Sequence, residues 1–418
     1  GIRRSSYDNK NANGETFVAT EDQDAIRLGV TYDIDGDGNR KIFASYGEYY
    51  LPIAANTNIR MAGGETYIHD FYETTADQHG SATPVFGTLV NSTVYGDGSV
   101  ADTRSTTDTS LEPMYQEEYI LGFAQTLESG FLEGFDLGIT YTSRELASTI
   151  EDVAIDAAVL AYCTANGIAG CEDDWTGFHQ YVLTNPGTDM NVYLPELSKY
   201  VTLSAADLNY PEVSRKYKAI VIALDRPFDG DWGLNASYTW SSTKGNYEGT
   251  VKSDNGQDDA GITQDFDQPG LTDGSYGYLP NHRRHLLKVF GTKSISEKLT
   301  AGMAFRVESP RKFGCIGTHP TDVFAADYGD SSWYCDGKLT PRASAFESDT
   351  IVNLDALLTY RVSDRFVFRL DVFNILNQNN VIDLNEYGES GGAPNPNYQL
   401  PTNYQTPRRV RLGMQFDF

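Results

Sequence analysis

The stretch VRLGMQFDF, residues 410–418, alternates without a break. Val410, Leu412, Met414, Phe416 and Phe418 are apolar, whereas Arg411, Gly413, Gln415 and Asp417 are polar or small. A period of two puts each set on its own face of a β-strand. One face is greasy and the other wet. The greasy face is either half of a soluble core or a surface against lipid.

The same alternation recurs along the chain. AIRLGVTYD sets Ile26, Leu28, Val30 and Tyr32 against Arg27, Gly29, Thr31 and Asp33. FDLGITYTS sets Phe135, Leu137, Ile139 and Tyr141 against Asp136, Gly138 and Thr140. WGLNASYTW opposes Trp232, Leu234, Ala236, Tyr238 and Trp240 to Gly233, Asn235, Ser237 and Thr239. The polar sides elsewhere carry Arg306, Asp355, Arg369, Asp371 and Arg411. Many segments run about 10–14 residues, longer than strands of globular sheets and long enough to cross a bilayer at a tilt.

The connections alternate too. Short turns near 34–40, 128–134, 227–231, 296–297 and 363–364 separate long segments at about 51–114, 147–214, 245–282, 310–347 and 377–406. With a partial first strand at Gly1–Ser6 the count is about 12, and short turns facing long loops are the rhythm of an outer-membrane barrel. The fold expected is all-β, a transmembrane antiparallel β-barrel with long extracellular loops. A helix is expected over Thr149–Tyr162, from TIEDVAIDAAVLAY. A soluble all-β protein is the opposing reading, and it leaves strand length and loop asymmetry unexplained.

Bulk properties agree. The 418 residues are 40% hydrophobic and 12% aromatic, with formal net charge −26. Mean hydropathy is −0.42, so a helical membrane bundle is ruled out, whereas a barrel needs apolar residues only at alternate strand positions. The charge argues against nucleic-acid binding. Cys163 with Cys171 and Cys315 with Cys335 fall as two local pairs in loop-like segments. Two loop-stapling disulfides in an oxidising compartment are expected, because the spacing fits no zinc pattern. The first residue is Gly, and GIRRSSYDNK reads as a strand end running into a loop. A fragment of something larger is therefore expected.

Several stretches resemble the TonB-dependent outer-membrane receptors. DVFNILNQNN resembles their penultimate-strand motif, with Asn374, Ile375, Leu376 and Asn377 departing from the usual Phe at the third position. RRVRLGMQFDF resembles their final strand with its terminal aromatic. RLGVTYDIDGDGNRKIFASYGEYYLPIAANTNIRMAGGE and NHRRHLLKVFG resemble the Oar-like, OmpA-related subgroup that carries a carboxypeptidase-regulatory-like domain. The resemblance spans residues 1–418 as the C-terminal part of a barrel of about 22 strands. It implies that the plug and N-terminal domain lie outside this chain. It implies energised movement of a bulky solute (a siderophore, oligosaccharide or peptide) across the outer membrane of a Gram-negative bacterium. The implied partners are outer-membrane lipid and lipopolysaccharide, the TonB-ExbB-ExbD complex through the missing N-terminal part, and the barrel-assembly machinery. That machinery would read Phe416 and Phe418. A passive porin and a structural or adhesive barrel are the alternatives.

Candidate chemistry is sparse. DIDGDG offers Asp33, Asp35 and Asp37 as the front half of a calcium loop, but the twelfth position is Ala44, and Asp and Gly are ordinary turn formers. HRRH, residues 282–285, suits an anion or lipopolysaccharide phosphates at the rim, or pairing with acidic loops. His69, His79, His179 and His319 are scattered singly. No nucleophile elbow, P-loop or HExxH is present, so no enzyme and no cofactor are expected. The substrate candidates are loop aromatics: Tyr67, Phe71 and Tyr72, Trp175 and Phe178, and Trp333 and Tyr334. Most of them are expected to pack the loops on one another.

Overall fold

A computed structural model describes residues 1–74, 85–257 and 263–418. Its frame is one antiparallel sheet in which twelve long strands follow one another in sequence order. They are β1 (Ile2–Lys10), β2 (Thr16–Asp33), β3 (Arg40–Tyr50), β4 (Tyr115–Leu127), β5 (Phe135–Ser148) and β6 (Arg215–Arg226). The rest are β7 (Trp232–Gly245), β8 (His285–Ser296), β9 (Leu299–Glu308), β10 (Ile351–Ser363), β11 (Phe366–Phe373) and β12 (Arg409–Phe416). A two-residue strand, Gly277–Tyr278, adds to the upper end of β7. The expected strand count and the alternation of short turns with long loops both hold.

Register makes the outer face continuous. Tyr32, Ile42, Phe123, Ile139, Ile222, Tyr238, Leu287, Val307 and Val352 stand directly opposite one another from β2 to β10. Paired residues share a face, so this is an unbroken apolar row across nine strands. On the same face of β12, Leu412 is 79% and Met414 73% exposed. Each such side chain gains roughly 1.5–3 kcal/mol on leaving water, so a face this apolar belongs against lipid.

The opposite face is polar. Asp371 faces Arg411 across β11 and β12, with a 2.6 Å ion pair. Gly122 is required here for close approach, because a Cβ on it would fall inside the Phe43 ring.

Two expectations need correction. β2 starts at Thr16, well before the expected Ala25, and its extra length buries Phe17 and Val18 in the core of the loops. The helix runs from Asp156 to Asn166 and does not start at Thr149. Glu151–Ala154 is instead a strand paired with Tyr181–Thr184. The Asp156 carboxylate accepts from the backbone N–H of Gly177, His179 and Gln180, which ties the helix start to the following segment. Gly167 ends the helix in the left-handed region, at φ 63°.

The long loops fold into a cap. Val153, Ile155, Val159, Leu183, Met190, Val192, Leu194, Val201 and Phe266 are all buried in one apolar core that includes residues of loops 149–214 and 246–284. Loops on a barrel rim would otherwise leave these side chains in water. Burying them together fixes the cap over one end of the sheet.

Candidate functional site

Alternate positions on the polar face of β4–β7 converge beneath the cap. Gln116, Arg144, Arg215, Tyr217, Thr239, Ser241 and Thr243 line a cleft of about 510 Å³, closed by Glu248, Asn281, Arg283 and Glu308. Arg144 pairs with Glu118 and lies 5.7 Å from the Tyr217 ring. Arg215 donates to the Glu248 carbonyl at 2.9 Å and to the Gln116 side chain at 3.4 Å. Glu308 is shared by Arg306 at 2.6 Å and Arg283 at 3.9 Å. Arg283 and Glu308 also border a second hollow of about 450 Å³, with Arg306, Asn353, Asp355, Asn374, Gln405 and Arg409. Such walls present guanidinium forks, amides, hydroxyls and carboxylates to one space. They suit a polar solute rich in hydrogen-bonding groups.

The polar alternation pointed to this face, but not to the cleft. Arg144, Arg215 and Arg283 lie far apart in the chain, and only the strand register and the cap bring them together.

The loop aromatics fall into different surroundings. Tyr67, Phe71 and Tyr72 sit exposed on a hairpin, Thr66–Tyr72 with Leu89–Asp97. Trp175 is buried in the cap core. Trp333 is wholly buried, with the Lys252 ammonium and the Arg342 guanidinium each 5.2 Å from its ring. Neither tryptophan presents a face to an arriving ligand. Phe178 is exposed beside Tyr328 at 6.1 Å, and Tyr334 lies edge-on to His319 at 4.6 Å.

The histidines have local duties. His179 bonds Glu196 at 2.8 Å and His319 meets Asp273 at 3.3 Å. His69 lies in the exposed hairpin, and His79 is outside the described residues. The HRRH stretch divides. Arg283 turns to the cleft, whereas His285 stacks with Tyr238 and bonds its hydroxyl at 2.7 Å. Arg284 lies 5.4 Å from the Trp240 ring. His282 stacks on Tyr278 at 4.3 Å, and burial together with Arg284 and Arg283 lowers its pKa to about 4.

Both cysteine pairs are bonded, Cys163 to Cys171 and Cys315 to Cys335. Gly388 packs onto the second bridge so closely that a Cβ would strike both sulfurs. In DIDGDG, Asp33 accepts from the N–H of Gly36 and Gly38, and Asp37 from that of Asn39. Asp35 is held by Arg40 through two bonds, which keeps its carboxyl below the usual range. These carboxylates are occupied in closing a hairpin turn.

A third hollow, about 410 Å³, opens in the cap between Asp152, Tyr181, Gln264, Asp267 and Tyr328. Burial, reinforced by Asp152, raises the Asp267 carboxyl to about 8.

The outer membrane beta barrel domain family matches residues 7–295. The TonB-dependent transporter Oar of Myxococcus xanthus is 26% identical over 97% of this chain and 40% of its own length. The chain therefore spans less than half of that relative. The outer membrane transporter YddB from Escherichia coli superposes with TM-score 0.51 at 11% identity, over 96% of this chain and 41% of that one. The likeness to YddB is one of fold. The P. aeruginosa protein FpvA, solved bound to heterologous pyoverdines, gives TM-score 0.48 at 12% identity over 97% of this chain and 34% of its own.

Proposed function

The chain belongs to the outer-membrane β-barrel domain family, and from that premise we propose that it is wall and mouth of a TonB-dependent transporter for a bulky polar solute. The observation that carries this is the similarity to a TonB-dependent transporter along 97% of the chain. In this reading residues 1–418 are one barrel unit. In the same reading a plug and a TonB-contacting box lie outside residues 1–418. The folded cap faces the outside and the arginine-lined cleft receives solute beneath it. A siderophore, an oligosaccharide and a peptide all meet the polarity of the cleft. Phe416 and Phe418 are the segment offered to the barrel-assembly machinery, and the outer rim meets lipopolysaccharide. The reading assigns no catalysis.

The test uses the whole protein in its own outer membrane. It should crosslink to TonB in energised cells, and the purified protein should not swell liposomes in small sugars. Rapid swelling, with no TonB crosslink, would identify a passive pore.

A further inference from the structure

The hairpin Thr66–Tyr72 with Leu89–Asp97 stands apart from the barrel sheet as a sheet of two strands. Two strands alone are marginally stable in water. One face nevertheless carries a strip of rings: Tyr67, His69 and Tyr95 lie 4.7–5.1 Å apart, and Phe71 is 6.5 Å from His69. Tyr67 is 48%, Phe71 53% and Tyr95 63% exposed. The other face carries Ile68, Asp70 and Tyr72, with Asp70 accepting from Ser92 at 2.6 Å.

Charge says what this surface takes. From Met61 to Thr103 the sequence holds no Lys or Arg, but it holds Glu65, Asp70, Glu73, Asp77, Asp97 and Asp102. Lipid phosphates would be repelled, and so would a second copy of a chain of net charge −26. A cationic partner is attracted. Among the described residues neither hairpin strand pairs with a further strand, so both edges offer free backbone groups.

We propose that the hairpin is a docking arm for an extended cationic peptide, which joins it as a third strand. Backbone bonds to the free edge supply affinity, and alternate side chains read the two faces. Apolar residues of the peptide continue the strip of Tyr67, Phe71 and Tyr95, while its cations meet Asp70 and the flanking Glu65 and Glu73. The binding does not depend on transport.

The experiment measures fluorescence anisotropy of labelled octapeptides with the detergent-purified full-length protein. The probes are (Lys-Val)4, (Glu-Val)4 and (Lys-Gly)4. (Lys-Val)4 should bind, and each of the others about tenfold or more weakly. The variants Y67S/F71S/Y95S and E65Q/D70N/E73Q should each weaken (Lys-Val)4 by about tenfold, and salt should weaken it in the parent protein. Heat-modifiable migration on gels checks that each variant keeps its barrel, since the hairpin lies outside the main sheet. No binding of (Lys-Val)4, equal binding of (Glu-Val)4 or (Lys-Gly)4, or binding indifferent to both variants would overturn the proposal.

Discussion

Lys252 and Asp265 form an ion pair at 2.7 Å with both side chains shut off from solvent. Arg342 joins them, reaching Asp265 at 3.4 Å and pairing with Asp254. Removing one member strands a buried charge. Lys252→Met should therefore cost about 3 kcal/mol, while Lys252→Met with Asp265→Leu should recover much of it. Thermal unfolding and hydrogen exchange of the cap measure both. An equal loss in the two variants would mean that shape, not charge, holds this site.

The bridges staple the cap from within. Closing loops with sequence separations of 8 and 20 should contribute about 2.5 and about 3.3 kcal/mol respectively on the chain-entropy account. Cys163→Ala with Cys171→Ala should loosen 149–214 without releasing the barrel. Gly388→Ala should lower cap stability while leaving the bridge chemically intact, because its Cβ has no room beside the two sulfurs. Protease nicking of the cap in intact cells distinguishes cap from barrel.

Acid and base should loosen the cap through different groups. His282 takes its proton near 6.5 when unfolded and near 4 when folded. The unfolded chain therefore binds more protons between those values, and stability falls as pH drops from about 6.5 to about 4, by up to about 3 kcal/mol. Asp267 and Glu386 run the other way. Burial lifts both to about 8, with help from Asp152 and Asp254 respectively. The folded state then holds the extra protons, so their contribution fades as pH rises from the ordinary carboxylate range through 8. His282→Asn should flatten the acid limb, and Asp267→Asn the alkaline one, in melting curves taken across pH.

The last strand carries a prediction about assembly. Phe416 faces Phe366 across β11 and β12, on the lipid side. Phe416→Asp, or deletion of Phe418, should reduce folded protein in the outer membrane several-fold. The heat-modifiable band reports it, and a normal folded level would contradict a role for these aromatics in assembly.

The barrel wall was legible because its signal is local. Each strand shows its own alternation, and the turn lengths show which ends are short. The upper part of β2 was not legible, since Glu21-Asp22-Gln23-Asp24 hides the pattern that resumes at Phe17 and Val18. The helix was placed too early because Glu151–Ala154 owes its strand form to a partner some thirty residues on, Tyr181–Thr184. Trp333 looked like a platform by composition. Its burial depends on Lys252 and Arg342, and Lys252 comes from a different loop. The cleft was hidden for the same reason: Arg144, Arg215 and Arg283 become neighbours only through tertiary structure.

The apolar row from Tyr32 to Val352 also governs how this protein can vary in length. One residue added inside any of those nine strands exchanges inside for outside along the remainder of that strand. Residues added to 149–214 or 374–408, between the strands paired within those loops, leave the register of the barrel sheet unchanged. Changes of length are therefore absorbed outside the strands, chiefly in the long loops, where the cap can be rebuilt while the wall keeps its dimensions.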